Sequence, residues 1–287
     1  MNRNMGTRKK VVIQGIAGCF HDIAAREYFR GEEIDIVPCD HFDKLFETVC
    51  ANKDLLGIVA IENTIAGSLL QNHTLLADSG LRIAGEQKLR IKHNLVALPD
   101  QDITDIQEVY SHPIALMQCQ NFLKENRHLK AVEYDDTASS ARMVAEQKLM
   151  GKAAICGELA AEIYGLEILA KGIETNKRNF TRFLVVGDGE VVEEMNRKKF
   201  PNKASLLLVL SHEEGSLAQI LSILSFYKMN LTRIQSTPII GREWEYQFYI
   251  DLQFEKYQRY QEALAAVRPL TNEMRVLGEY EVGRQTI

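Results

Sequence analysis

Short apolar runs alternate with helix-like segments from residue 11 onward. VVIQGI (11–16) leads through a glycine-bearing loop into FHDIAAREYF (20–29), and IDIVPC (34–39) precedes HFDKLFETVCANK (41–53). LLGIVAI (55–61) precedes a polar stretch and NHTLLADSG (72–80). The chain continues through LRIAGEQ, HNLVALP, VYSH, ALMQCQNFLKEN, KAVEYDD, TASSARMVAEQ and KAAICG, and FLVVGDG (183–189) closes the region. Strand-like runs followed by helix-length segments predict an α/β domain with a largely parallel sheet. Residues 10–187 are many for one small sheet, so two lobes with a cleft between them are expected.

The pattern then changes. DGEVVEEMNRKKFPNK is charged and lacks a sustained apolar face, which predicts a linker over 188–203. ASLLLVLS, GSLAQILSILSFYKMN, LTRIQSTPII, EWEYQFYIDLQ, YQRYQEALAAVRPL and MRVLGEYE follow within 204–282. They read as strand, helix, strand, strand, helix, strand, the ferredoxin-like order with both helices on one face of a sheet.

Composition narrows the function. A chain of 287 residues has room for two or three cores. The net charge of -5, with no basic stripe among aromatics, argues against nucleic-acid binding. No long apolar stretch follows the basic start, so neither a signal peptide nor a membrane span is expected. Five scattered cysteines without a CxxC pair read as reduced thiols of a cytoplasmic protein. The histidines show no metal-ligand spacing, and no metal or cofactor is expected.

Several polar segments could carry chemistry. GIAGCFHDIAA (15–25) puts two glycines at a strand-to-helix turn, either a structural turn or an anion seat beside free helix N–H groups. IENTIAGSLL (61–70) gathers an acid, an amide, two hydroxyls and a glycine at a strand's end, suited to a polar ligand or to capping. SHPIALMQC (111–119) reads as a helix start with proline in its first turn. A Ser–His hydrolase lacks its nucleophile elbow here. DDTASSA (135–141) is a cap or a binding loop. NFTRF (179–183) sets threonine and arginine at the head of an apolar strand, where threonine is an ordinary strand former. The segments before it all lie at strand-to-helix junctions, where open α/β sheets collect ligands.

Taken in order, GIAGCFHDIAA, IENTIAGS, SHPIALMQC, DTASSA, AAICGELAAEIYGL and NFTRF resemble prephenate dehydratase. GSLA (215–218) and NLTRIQSTP (230–238) are similar to the regulatory ACT domain that follows it in that family. The resemblance implies a two-lobed, periplasmic-binding-protein-like catalytic domain followed by a ferredoxin-like ACT domain. The family's TRF signature matches Thr181, Arg182 and Phe183, with Thr181 on its essential threonine. Its ENS segment appears as Glu62, Asn63 and Thr64. Its GTFSH run becomes Gly18, Cys19, Phe20, His21 and Asp22, which removes hydroxyls and leaves the Cys19 backbone N–H as the expected contact. Gly18, Cys19, Glu62, Asn63, Thr64, Ser68 and Asn179 are expected to bind substrate.

The resemblance further implies conversion of prephenate to phenylpyruvate and inhibition by L-phenylalanine at an interface between subunits of a homodimer or homotetramer. Gly215, Ser216, Leu217, Ala218, Asn230 and Leu231 match that regulatory site. The family's ESRP reads Gln235, Ser236, Thr237 and Pro238. Chemistry supports the assignment: hydroxide leaves poorly unless a proton or strong hydrogen bond meets it, and Thr181 supplies such a donor. The fork of Arg182 suits a substrate carboxylate. A ligand-binding module and a catalytically silent sensor are the other classes, and an intact Thr181 weighs against the sensor.

Overall fold

Strand boundaries follow the apolar runs closely, and the central strands β3 and β11 are buried along almost their whole length. The computed structural model describes residues 8–239, 241–242 and 245–286. Residues 1–7 and 287 lie outside the described residues, as do 240, 243 and 244 at the facing ends of two expected strands. The first lobe comprises β1 (Lys9–Gln14), α1 (Phe20–Tyr28), β2 (Ile34–Cys39), α2 (Phe42–Ala51), β3 (Leu55–Asn63), β4 (Gly67–Ser68), α3 (Leu70–Ser79) and β5 (Arg82–Arg90). The second begins with β6 (Asn94–Ala97), β7 (Glu108–Ser111), α4 (Pro113–Gln118), α5 (Gln120–Glu125) and β8 (Lys130–Glu133). It ends with α6 (Thr137–Glu146), β9 (Lys152–Cys156), α7 (Glu158–Tyr164) and β10 (Glu167–Ala170). The chain then returns to the first sheet as β11 (Phe180–Gly187) and α8 (Gly189–Asn196).

Both lobe sheets are mixed rather than largely parallel. In the first, β1 pairs in parallel with β2 and β3, but β11 lies antiparallel between β3 and β5. The reason is the route of the chain: β5 runs out toward the second lobe and β11 runs back. The second sheet has the order β10-β6-β9-β7-β8, with β6 antiparallel to β9 and β10. Two crossings therefore join the lobes, at 91–93 and 171–179, and the Ile91 N–H donates to the Asn179 carbonyl between them (2.8 Å).

The expected linker contains a helix. Asp188 caps α8 by accepting from the Glu190 N–H, and Val192 is buried with Val191 and Met195 against the first lobe's core. Three apolar residues on one short face suffice, although they are too few to register as a long amphipathic pattern. Beyond it, β12 (Lys203–Val209), α9 (Ser216–Phe226), β13 (Asn230–Pro238), β14 (Tyr246–Gln253), α10 (Tyr257–Val267) and β15 (Glu273–Tyr280) form an antiparallel sheet ordered β13-β14-β12-β15. This is the ferredoxin-like topology expected from the sequence. A final strand, β16 (Gln285–Thr286), pairs in parallel with β5 of the first sheet.

The C-terminal sheet is covered on both faces, which explains why every residue of β12 is buried. Leu206, Leu208, Ile220, Leu224, Ile250, Leu252 and Tyr260 form a core with α9 and α10. Leu207, Tyr249, Leu277 and Tyr280 point the other way and join Leu81, Ile83, Leu184 and Val186 of the first lobe. Gly278 permits this approach, since a Cβ there would lie 2.4 Å from the Ile83 carbonyl oxygen.

Candidate active site

A strand presents alternate residues to opposite faces, and β11 begins where the second crossing ends. Thr181 and Phe183 accordingly face a cavity of about 270 Å³ between the lobes. Asn63, on the neighbouring strand, lies opposite Thr181 in register and lines the same cavity. The second lobe contributes His112 and Ala115 from the start of α4, Gln118 from its end, and Asp136 and Thr137 from the start of α6. His93 comes from the first crossing.

Asn63 orients the threonine. Its Oδ1 accepts the backbone N–H groups of Ile65 (2.9 Å) and Ala66 (2.8 Å), which fixes the amide. Its Nδ2 therefore faces Thr181 and donates to Oγ1 (2.9 Å), as well as to Asn179 Oδ1 (2.8 Å). With its oxygen accepting, Thr181 keeps its own proton, and among the described residues no protein acceptor takes it. Fully buried Asn179 extends the chain by donating to Gln118 Oε1 (2.9 Å), which also meets His93 Nε2 (2.9 Å). Asn179 thus positions other groups rather than lining the cavity.

Two imidazoles add unused polar atoms. His21 Nε2 and His93 Nδ1 are buried without a hydrogen-bond partner. His21 packs edge-on to Phe183, with ring centroids 5.1 Å apart. Burial lowers its pKa to about 4 and also lowers that of His93, so both rings are neutral near pH 7. His93 is outside the expected site residues, because a crossing carries no motif spacing, while Gln118 lies in SHPIALMQC, a segment read only as a helix start. His21 stood within the quoted entry segment, as the replacement for a family hydroxyl.

Several expected contacts are differently placed. The Gly18 N–H is taken by Asp22 Oδ2 (2.8 Å), and the Cys19 N–H by the Ile16 carbonyl (3.1 Å). Neither amide is free to seat an anion. Gly18 instead lets the lobes touch: it has φ +88°, and a Cβ there would lie 2.8 Å from Ala160 Cα on α7. Cys19 lines the cavity as a thiol whose pKa burial pushes up to about 12, and Sγ donates to the Gln14 carbonyl. Thr64 clamps the strand entry, donating to the Arg178 carbonyl (3.1 Å) and accepting from the Phe180 N–H (3.0 Å).

Arg182, Glu62 and Ser68 look away from the cavity. Arg182 is 5% exposed and pairs with Glu86 (2.6 Å) and with Asp251 of the C-terminal sheet (2.5 Å). It also donates to the Tyr280 hydroxyl (3.2 Å), while Lys203 completes the cluster on Glu86 (2.7 Å). Burial alone would raise the Asp251 carboxyl, but Arg182, Ser205 and Lys203 outweigh it and hold the pKa at about 2. The expected carboxylate anchor is therefore a domain-joining residue, because its neighbour Thr181 already occupies the cleft face. Glu62 pairs with Arg233 (2.9 Å), and Ser68 accepts from the same arginine (3.0 Å).

No lysine or arginine lines the cavity among the described residues. An anionic ligand would instead meet neutral donors and the positive ends of α1 and α4, which begin at its wall; the start of α6 is already met by the Asp136 carboxylate. Asp136 both caps α6, accepting from the Ser139 N–H (2.8 Å), and lines the cavity. No grouping of three or more histidine, cysteine or acidic side chains suits a metal among the described residues.

Of the expected regulatory residues, Gly215 (φ +84°) precedes α9, and Ser216, Leu217 and Ala218 form its first turn. Gln235, Ser236, Thr237 and Pro238 end β13 at the same end of the sheet, since Val209 and Thr237 both register with Gln247. Asn230 and Leu231 lie at the opposite end of β13.

A family model described as prephenate dehydratase matches residues 11–191. The chain is 34% identical to "Arogenate dehydratase/prephenate dehydratase 2, chloroplastic" of Arabidopsis thaliana, over 96% of this chain and 74% of that protein. Among solved structures, prephenate dehydratase in complex with L-Phe from Arthrobacter aurescens superposes with TM-score 0.82 at 27% identity. That match covers 97% of this chain and 92% of the other. A protein titled as a novel type of quorum quenching acylase, GqqA, superposes with TM-score 0.83 at 28% identity, over 96% and 98% of the two chains.

Proposed function

Because the chain belongs to the prephenate dehydratase family, we propose that it converts prephenate to phenylpyruvate, carbon dioxide and water in L-phenylalanine biosynthesis. The observation that carries this reading is the Thr181 hydroxyl, its oxygen held by Asn63 and its proton left toward the cavity. As the ring carboxylate leaves as carbon dioxide, its bonding electrons aromatise the ring and expel the ring hydroxyl. Thr181 meets that departing oxygen with a hydrogen bond, and the hydroxide so released takes a proton from solvent to become water. Phe183 and neutral His21 give the ring an apolar wall, and the starts of α1 and α4 receive the carboxylates.

A second substrate is favoured by one observation. Asp136 is the one carboxylate among the described lining residues, and it is the group that the ammonium of arogenate would meet. Supplying prephenate and arogenate separately, and following phenylpyruvate absorbance in alkali or phenylalanine by chromatography, tests both. Turnover of neither would overturn the dehydratase reading. Acylase chemistry fits this cavity poorly: the Cys19 thiol stays protonated, and Thr181 is bonded to an amide rather than to a histidine base.

The C-terminal region serves, in this reading, as an ACT domain that binds L-phenylalanine and inhibits the enzyme. The bend at Gly215 and the alignment of 215–218 with 235–238 support it. The outer edge of β13 has no strand partner among the described residues, and Ile234 on it is exposed. Antiparallel pairing of two such edges would bring Asn230 and Leu231 of one copy beside 235–238 of another, giving a homodimer or homotetramer. Five unpaired cysteines suit a reducing compartment such as the cytoplasm. Calorimetry and activity measured against phenylalanine test the regulation: binding without inhibition would sink the coupling.

A further inference from the structure

The strand that carries the proposed phenylalanine residues also reaches into the dehydratase region, at Arg233. This guanidinium is 9% exposed and belongs to the C-terminal sheet, yet it contacts three groups of the first lobe. Nε meets Glu62 Oε2 at 2.9 Å, and NH2 reaches Ser68 Oγ at 3.0 Å and His73 Nε2. His73 is an acceptor there because burial, and then Arg233 itself, lower its pKa to about 3. Glu62 stands between two arginines, with Arg182 NH1 3.6 Å from its other oxygen.

Glu62 and Ser68 are the two ends of one hairpin. They pair with each other across β3 and β4, and the residues between them, 64–67, are exposed. A two-residue ladder is weak by itself, so the hairpin depends on what holds its ends. Arg233 holds both from the side facing the C-terminal sheet. Asn63, next to Glu62, faces the other way, with Oδ1 pinned by the hairpin's own Ile65 and Ala66 N–H groups and Nδ2 on Thr181. If the hairpin shifts, the amide shifts, and with it the acceptor role that frees the threonine proton.

We infer that Arg233 is a positioning residue for the cleft: it clamps the 62–68 hairpin so that Asn63 holds Thr181 in its donor orientation. The inference rests on the dehydratase reading for its effect on turnover, but not for its effect on the hairpin. The C-terminal domain thereby bears on the chemistry without touching the substrate, through a residue two positions before Gln235.

The test uses the full chain and the variants Arg233→Met, Arg233→Lys and Asn63→Ala. Arg233→Met should lower kcat at least about tenfold with KM within about twofold, since the ligand's other contacts remain. Arg233→Lys, which keeps the charge but not the fork, should fall between and guards against a folding failure. In the Asn63→Ala background, Arg233→Met should cost little more, because both changes cut the same chain of contacts. Hydrogen exchange at 62–68 should quicken at least about tenfold in Arg233→Met, whatever the substrate. Unchanged exchange there, wild-type kcat, or a full multiplicative loss in the double variant would each overturn the inference. A wild type that turns over neither substrate would instead refute the dehydratase reading, with the exchange result still deciding the clamp.

Discussion

The two faces of β11 treat polar groups in opposite ways. On the cleft face, Thr181 has a proton with no protein acceptor, and His21 and His93 each bury a ring nitrogen without a partner. On the other face, each nitrogen of Arg182 has a partner among Glu86, Asp251 and Tyr280. A saturated buried cluster is joinery, because every group in it already has what it would seek from a ligand. A wall of unmet donors and acceptors is where a ligand gains most, since such groups are costly to leave unpaired.

If that contrast is right, neighbouring residues should fail in different ways. Thr181→Ala should lower kcat by about 10² to 10⁴ while leaving the fold intact, and Thr181→Ser should keep appreciable activity. Turnover assays beside circular dichroism check this, and near-normal kcat in the alanine variant would end the donor role. Arg182→Met should instead strike stability, by about 3–5 kcal/mol, because it strands buried carboxylates. Denaturant unfolding measures the loss, and KM at a permissive temperature should stay near wild type. A large KM rise with unchanged stability would return Arg182 to the cleft.

The next expected effect is on acid sensitivity. His21 has a folded pKa of about 4, against about 6.5 for an unfolded histidine. Between those values the unfolded chain binds the proton and the folded chain does not, so stability falls as pH drops from about 6.5 to about 4. The loss amounts to at most ~3 kcal/mol. His21→Gln should flatten that part of the stability curve, and NMR titration of the imidazole should show a midpoint well below 6. The smallest effect concerns Gly18: Gly18→Ala should cost ~1–2 kcal/mol from the left-handed backbone, plus displacement of α7. Thermal unfolding and a raised KM would report it.

Much of this was legible in the letters. Thr181, Phe183 and Asn63 reach the cleft as expected, and the six-element C-terminal order is as read. Strand alternation puts Arg182 on the face opposite Thr181 and Phe183, away from the expected carboxylate contact, and the same rule separates Glu62 from Asn63. The Cys19 amide, expected to meet a ligand, is instead taken by the Ile16 carbonyl, and that of Gly18 by Asp22, which a glycine pattern does not reveal. His93 and Gln118 enter from a crossing and a helix end, where position depends on how two lobes meet. α8 was missed because three apolar residues on one turn look like a linker.

The short pairing of β16 with β5 gives the C-terminal sheet a second, hydrogen-bonded tether to the first sheet. Lys88 and Leu89 register with Gln285 and Thr286, and Thr286 Oγ1 also accepts from Gln87 Nε2 and reaches Glu27. In topology, then, the C-terminal domain is an insertion between two strands of the first sheet rather than an appendage. On the ribosome, the first lobe emerges with the edge of β5 bare, and its Lys88–Leu89 stretch is paired only once residue 286 has been made. Such long-range closure is slow, and an open edge is a site for wrong partners. A chain cut after residue 187 would keep every cleft residue and still leave Lys88 and Leu89 of β5 without their outer strand partner.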